Sequence, residues 1–175
     1  MTQRRRPVRL LVLLLSPLWL PGLALLAGLR VNHTHSFPPG VYLAVPKAPA
    51  VGDLVMFRPP EEAVFDEALA RGYIGNGGFS HYETMLKRLV AVGGDVVTID
   101  DRGVSVNGQT LKNSKPMPMD EAGRPMPVWH LKDYRLSEGE VLLMSDYSPI
   151  SFDSRYFGPI PRTQIQSVVR PVLTW

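Results

Sequence analysis

"ETMLKRLVAVGGDVVTIDDRGVSVNG", residues 83–108, decides the fold class. Residues 83–92 are a strand candidate that ends at Gly93-Gly94. "DVVTI" (95–99) and "GVSVNG" (103–108) follow, joined by the turn residues "DDRG" (100–103). Asn107-Gly108 is a strong hairpin signal, because a two-residue type I′ turn needs positive φ at both of its central positions. Short apolar, β-branched runs punctuated by Gly, Asp and Asn predict strands rather than helices.

The same pattern extends outward. "GVYLAVP" (40–46), "GDLVMFRP" (52–59), "GEVLLMSD" (139–146) and "IQSVVRPVLTW" (165–175) are further strand candidates. One helix is expected in "PEEAVFDEALARG" (60–72), with Pro60 suited to its first position, Glu61 and Glu62 to its positive end, and Gly72 as its stop. Its apolar face would be Val64, Phe65, Ala68 and Leu69. "GYIGNGGFS" (72–80) reads as a glycine-rich loop without the lysine or spacing of a phosphate-binding loop. Residues 112–130, with four prolines and three methionines, read as an irregular insertion. Seventeen prolines and fifteen glycines in 175 residues favour many turns over long helices. The expectation is a mostly β body, a small barrel-like or coiled sheet with one short helix.

The formal charge of +3 is uneven. Setting aside Arg4, Arg5, Arg6 and Arg9 leaves fifteen cations against sixteen acids, so the body is close to neutral and offers no basic face for nucleic acid. The chain has no cysteine, which excludes a thiol nucleophile, a Cys-ligated zinc site and disulfides. Residues 10–29, "LLVLLLSPLWLPGLALLAGL", carry no charge and at helical rise would span about 30 Å, one hydrocarbon core. Pro17 and Pro21 weaken a helix, but membrane helices tolerate proline better than soluble ones do. Four arginines precede this run, so the positive-inside rule makes residues 1–9 a cytoplasmic tail and puts residues 30–175 outside, with the run itself in membrane lipid. A cleavable signal ending near Gly22-Leu23-Ala24 is the competing reading, and the continuation of the apolar run past that site favours a retained anchor.

Three stretches carry candidate chemistry. Lys87 lies mid-strand among apolar residues, with Met85, Leu89 and Ala91 on its own face by the period of two. Taken alone, it would be an exposed-edge lysine that blocks aggregation. Buried among aliphatic groups, its amine would lose affinity for its proton and become a competent general base. Ser36, in "HTHSFPPGVY" (33–42), is the best partner nucleophile, with Pro38, Pro39 and Gly40 shaping the chain beyond it. "SPISFDSRYFGPIP" (148–161) gathers hydroxyls, Asp153, Arg155 and two aromatics in a turn-rich loop.

In order along the chain, "THS" with Pro38, "KRLVAVGGD", "VNGQ" and "GEVLLMSDYSPISFDSRYFGPIP" resemble the boxes of the type I signal peptidases, a family of serine–lysine proteases. The box around "SFDSRYFGPIP" is the most specific of them. Within that family the chain most resembles the conjugative-transfer, TraF-type branch, short enzymes with one membrane segment that process precursor pilin subunits. Ser145-Asp146-Tyr147 stands where housekeeping leader peptidases have Gly-Asp-Asn, and their large second β-domain is expected to shrink here to residues 112–130.

The resemblance implies a signal-peptidase-like coiled-sheet domain over 30–175, with Ser36 as nucleophile, Lys87 as general base and no cofactor or metal. It implies that Thr34 and the Ser36 N–H stabilise the oxyanion, one such donor being worth about 3 kcal/mol in the transition state. Ser151 would orient the lysine amine. Asp153 would either hold the loop through Arg155 or act nearer the chemistry. The expected substrates are precursor pilins or other signal-peptide-bearing proteins, cut at the outer face of the cytoplasmic membrane, with acyl transfer to an amine giving cyclisation. Four other readings compete: a general leader peptidase, a non-enzymatic membrane-tethered β-module, a self-cleaving repressor-like protein, and histidine chemistry. The repressor-like reading lacks its DNA-binding domain. For the last, His33-x-His35 would supply half a metal site, or His81 would complete a triad with Asp153 and Ser36; His130 carries no expected role.

Overall fold

The structure, a computed structural model, describes residues 27–78 and 80–175. The expected anchor therefore falls largely outside the described residues. Its last residue, Leu29, opens strand β1 (Leu29–Asn32). Among the described residues no helix is long and apolar enough to cross a membrane.

Ten further strands follow: β2 (Gly40–Val45), β3 (Leu54–Phe57), β4 (Met85–Val92), β5 (Val96–Asp100), β6 (Gly103–Val106), β7 (Gln109–Thr110), β8 (Leu131–Arg135), β9 (Glu140–Met144), β10 (Ile160–Pro161) and β11 (Ile165–Thr174). Of the eleven strands among the described residues, seven form an antiparallel sheet in the order β1-β2-β11-β3-β4-β9-β10. The other four form a smaller sheet, β7-β6-β5-β8. The mostly β expectation and the main strand positions match this architecture. The Asn107-Gly108 signal does too: both residues have positive φ, at 50° and 79°, and they join β6 to β7.

Helix α1 (Ala63–Ala70) is shorter at its start than expected, with Glu62 as N-cap and Pro60 left outside. Phe65 and Ala68 are buried, and Val64 and Leu69 pack beside them, as the apolar face required. A second helix, α2 (Ser154–Phe157), was not anticipated. Its signal was present in "DSRYFG": Asp153 caps the first turn through its side chain, and Gly158 ends it at φ 73°. The Gly158 Cα faces the Trp129 ring so closely that a Cβ there would meet it at 2.8 Å.

The second sheet corrects another expectation. It is built from residues on both sides of the 112–130 segment, not from that segment, because β5 pairs with β8 across it. Residues 112–130 run between β7 and β8 without a named strand.

Strands β4 and β9 explain why residues 85–92 and 140–144 are apolar almost continuously. One face packs into the main core with Val55, Phe65, Leu89, Leu143 and Phe157. The other packs Ala91, Leu142 and Met144 under Val97, Ile99 and Val104 of the second sheet. Strands buried on both faces lose the polar alternation of a half-solvated sheet. The register between β4 and β9 shifts between Leu89 and Ala91. That irregularity moves Ala91 into the second core, so it does not share Lys87's surroundings as the simple period implied.

Candidate active site

Lys87 sits in β4 between β3 and β9, opposite Val55, and is 1% exposed. A central strand leaves no solvent edge, so the edge-lysine reading fails. Its Nζ lies 2.7 Å from Ser36 Oγ, 51 residues away in sequence. Among the described residues this is the amine's one hydrogen-bond contact. Burial pushes its pKa down from 10.5 to about 8; Asp153 opposes that shift and Arg155 adds to it. An ammonium with one hydroxyl for company is poorly compensated for the water it has lost, so its hold on the proton is weakened.

Ser36 is half-buried, in the turn between β1 and β2. Two contacts fix it besides Lys87. Ser151 Oγ donates to Ser36 Oγ at 3.2 Å, so its bond goes to the hydroxyl and not to the amine it was expected to orient. Ser145 Oγ donates to the Ser36 carbonyl at 2.5 Å. Ser145 Oγ also accepts from the backbone N–H groups of Ser148 at 2.9 Å and Tyr147 at 3.3 Å. Ser145 thus ties the turn after β9 to the carbonyl of Ser36. Sequence reasoning noted it only as a departure from a family motif; a serine in a turn carries no sign of a partner 109 residues away.

Thr34 lines the same cavity as Ser36, but its hydroxyl donates to Asn32 Oδ1 at 2.8 Å. To serve an oxyanion the hydroxyl must rotate away from Asn32. The Ser36 backbone N–H has no hydrogen-bond partner among the described residues, which leaves it available as a donor. Asn32, itself 5% exposed, shapes this turn: its Nδ2 donates to the carbonyls of Thr34, Phe37 and Pro38.

Asp153 and Arg155 are fully buried and paired. Arg155 Nε and Nη2 donate to the two carboxylate oxygens at 2.8 Å and 2.9 Å. The carboxylate also accepts from the backbone N–H of Ser145 at 3.0 Å and of Arg155 at 3.3 Å. None of these bonds reaches Ser36 or Lys87. Asp153 therefore bears on the amine through its charge, and its carboxylate holds the Ser145 backbone. Arg155 Nη1 also donates to the carbonyls of Pro149 and Lys115, which tethers the 112–130 segment.

The histidines lie elsewhere. His81 Nε2 contacts Asp66 at 3.1 Å, His33 Nε2 contacts Glu83 at 3.2 Å, and His130 Nε2 contacts Asp101 at 3.3 Å. His81 is thus engaged away from Asp153 and Ser36, and the triad reading falls. His35 shares the cavity wall with Ser36.

Known proteins resemble this chain over most of its length. A family model described as "Signal peptidase, peptidase S26" matches residues 5–175. A plasmid transfer protein TraF from Escherichia coli is 50% identical over 151 residues, 85% of this chain and 84% of its own. A conjugal transfer protein TraF from Agrobacterium fabrum is 34% identical over 158 residues, 87% of this chain and 86% of its own. A signal peptidase I of known crystal structure from Enterococcus faecalis V583 is 22% identical, with a TM-score of 0.40 over 71% of this chain and 98% of that one.

Proposed function

The chain belongs to the S26 signal peptidase family, and on that premise we propose that it is a membrane-bound serine endopeptidase with Ser36 as nucleophile and Lys87 as general base. The observation that carries this reading is the 2.7 Å approach of a 1%-exposed lysine amine to a serine hydroxyl. Two side chains so far apart in sequence gain nothing structural from this contact that an apolar pair would not supply better, because burying an amine is costly.

In the proposed reaction the Ser36 hydroxyl donates its proton to the neutral Lys87 amine as Oγ attacks the scissile carbonyl. The Ser36 N–H, with the Thr34 hydroxyl once it turns from Asn32, stabilises the oxyanion. The carbon–nitrogen bond then breaks, and the Lys87 ammonium returns the proton to the departing amine. Water, activated by the same amine, attacks the ester, and Ser36 recovers its proton. An amine in place of water would form a new peptide bond, which cyclises a precursor if the amine is its own.

The substrates proposed are precursor pilins of a conjugation apparatus. The names of the relatives support this, since two that cover most of the chain are transfer proteins. The uncharged run of residues 10–29 would anchor the chain in the cytoplasmic membrane, N-terminus inside, with the site at the outer surface. A non-enzymatic tethered module required Ser36 and Lys87 to be apart or exposed, and the geometry does not favour it.

The test is processing of a small hydrophobic pilin precursor by the full chain in detergent, read by mass spectrometry. Ser36→Ala and Lys87→Ala should abolish processing. Lys87→Arg should do so as well, because a guanidinium stays charged. Normal processing by both Ser36→Ala and Lys87→Ala would sink the reading, and full activity in Lys87→Arg would sink the base assignment.

A further inference from the structure

The cavity that contains Ser36 is larger than the proposed chemistry needs. It measures about 510 Å³, inside the range of sites that enclose a ligand. Ser36, Thr34 and Ser151 form part of its lining. Much of the remaining wall is apolar: Met117, Met119 and Met126 from the 112–130 segment, with Tyr73, Ile150 and Phe152.

That wall is built, not draped. Tyr73 OH donates to Asp120 Oδ2 at 2.6 Å, and Arg71 Nη1 donates to the Pro125 carbonyl at 2.7 Å. The Met117 N–H donates to Tyr156 OH at 2.9 Å, and Arg155 reaches the Lys115 carbonyl at 3.1 Å. Arg155 and Tyr156 belong to α2, the turn that Asp153 caps. The piece of structure that sets Lys87's electrostatics therefore also holds the methionine wall beside the nucleophile.

Three side chains of this wall are left to water. Met117 is 43% exposed, Met119 54% and Ile150 62%. The charges in the lining are mostly satisfied within the fold, Asp120 by Arg124 and Arg71 by Glu67. Glu121 remains and disfavours an acidic guest. A peptide carbonyl held on Ser36 must enter this cavity, and each neighbouring residue of an extended chain is offset by about 3.3 Å. Flexible, polarisable methionines suit guests of varied apolar shape.

We propose that the methionine-walled part of the cavity is a subsite for a bulky apolar side chain of the substrate polypeptide. It selects large apolar residues over glycine and over acidic residues at a fixed distance from the scissile bond. The inference rests on Ser36 being the nucleophile.

The test uses the full chain in detergent with a positional-scanning set of fluorescence-quenched peptides. Each position on both sides of the cleaved bond is varied among Gly, Leu, Met, Phe, Asp and Lys. At one position at least, the large apolar residues should exceed Gly about tenfold in kcat/KM, with Asp lowest. Met119→Asp should move the preference at that position toward Lys, and Met119→Lys should move it toward Asp. A wall with only a structural role would lower all peptides together. Flat preferences in the wild type, or identical ratios in the two charged variants, overturn the subsite. Cleavage that survives in Ser36→Ala, or no cleavage by the wild type, counts against the catalytic reading itself. Cleavage that is lost in Ser36→Ala but shows flat preferences sinks the subsite alone.

Discussion

Replacing Lys87 with methionine should abolish activity and yet stabilise the fold at neutral pH. Methionine keeps the length of the side chain and suits the apolar surroundings of β4, while it removes the buried charge. The magnitude follows from the displaced pKa. Burial brings the amine from 10.5 to about 8. Below about pH 8 both folded and unfolded chains bind the proton, and the folded state carries the full cost of that displacement, about 3 kcal/mol. Losing the contact with Ser36 Oγ offsets about 1 kcal/mol. The net expectation is a variant more stable by about 2 kcal/mol near neutrality. Between pH 8 and 10.5 the folded wild type has shed its proton while the unfolded chain still binds one, so wild-type stability rises with pH and the gap closes. Above that window the variant should be the less stable by about 1 kcal/mol. Urea denaturation of the full chain in non-ionic detergent, followed by tryptophan emission at about pH 6, 8 and 11, measures the difference. A variant less stable at every pH, or a difference independent of pH, would refute the claim that desolvation weakens the amine's hold on its proton.

The rate should report the same titration: kcat/KM is expected to climb about tenfold per pH unit toward pH 8 and then level, as neutral Lys87 accumulates. Asp153→Asn should shift that limb to lower pH, since the carboxylate raises the Lys87 pKa and Arg155 lowers it. The same variant should destabilise the fold by about 3–5 kcal/mol, because it leaves the Arg155 guanidinium buried without its counter-charge; an alkaline shift of the limb would contradict the electrostatic role. Ser145→Ala should cost about 1 kcal/mol of stability and about tenfold in kcat/KM, through a nucleophile carbonyl no longer tied to the turn after β9. Wild-type turnover in that variant would show that the Ser36 turn is held well enough by Asn32 alone.

The strands and turns of this protein were legible because their causes are local. Asn107-Gly108 tolerates positive φ wherever it occurs, and the glycines and prolines between the apolar runs interrupt them without help from distant residues. The α2 turn was equally local, with Asp153 before it and Gly158 after it, and was missed because four helical residues carry no periodicity. The displacement of Ala91 lay beyond reach, since a strand irregularity arises from the partner strand and not from the alternation along one strand.

The chain by itself determined which groups were available for chemistry: a serine in a proline-bounded turn, a lysine within an aliphatic run, and an Asp and an Arg two residues apart in a turn-rich loop. It also determined the antiparallel β character, since turn chemistry and side-chain alternation act over a few residues. Only the tertiary structure decided that β4 is central, that its amine loses water and meets Ser36, and that Ser145 grips the carbonyl of that serine. It decided as well that Asp153 faces Arg155 rather than the reacting atoms. Desolvation and charge are sums over everything packed around a group, and those neighbours come from strands far apart in the sequence.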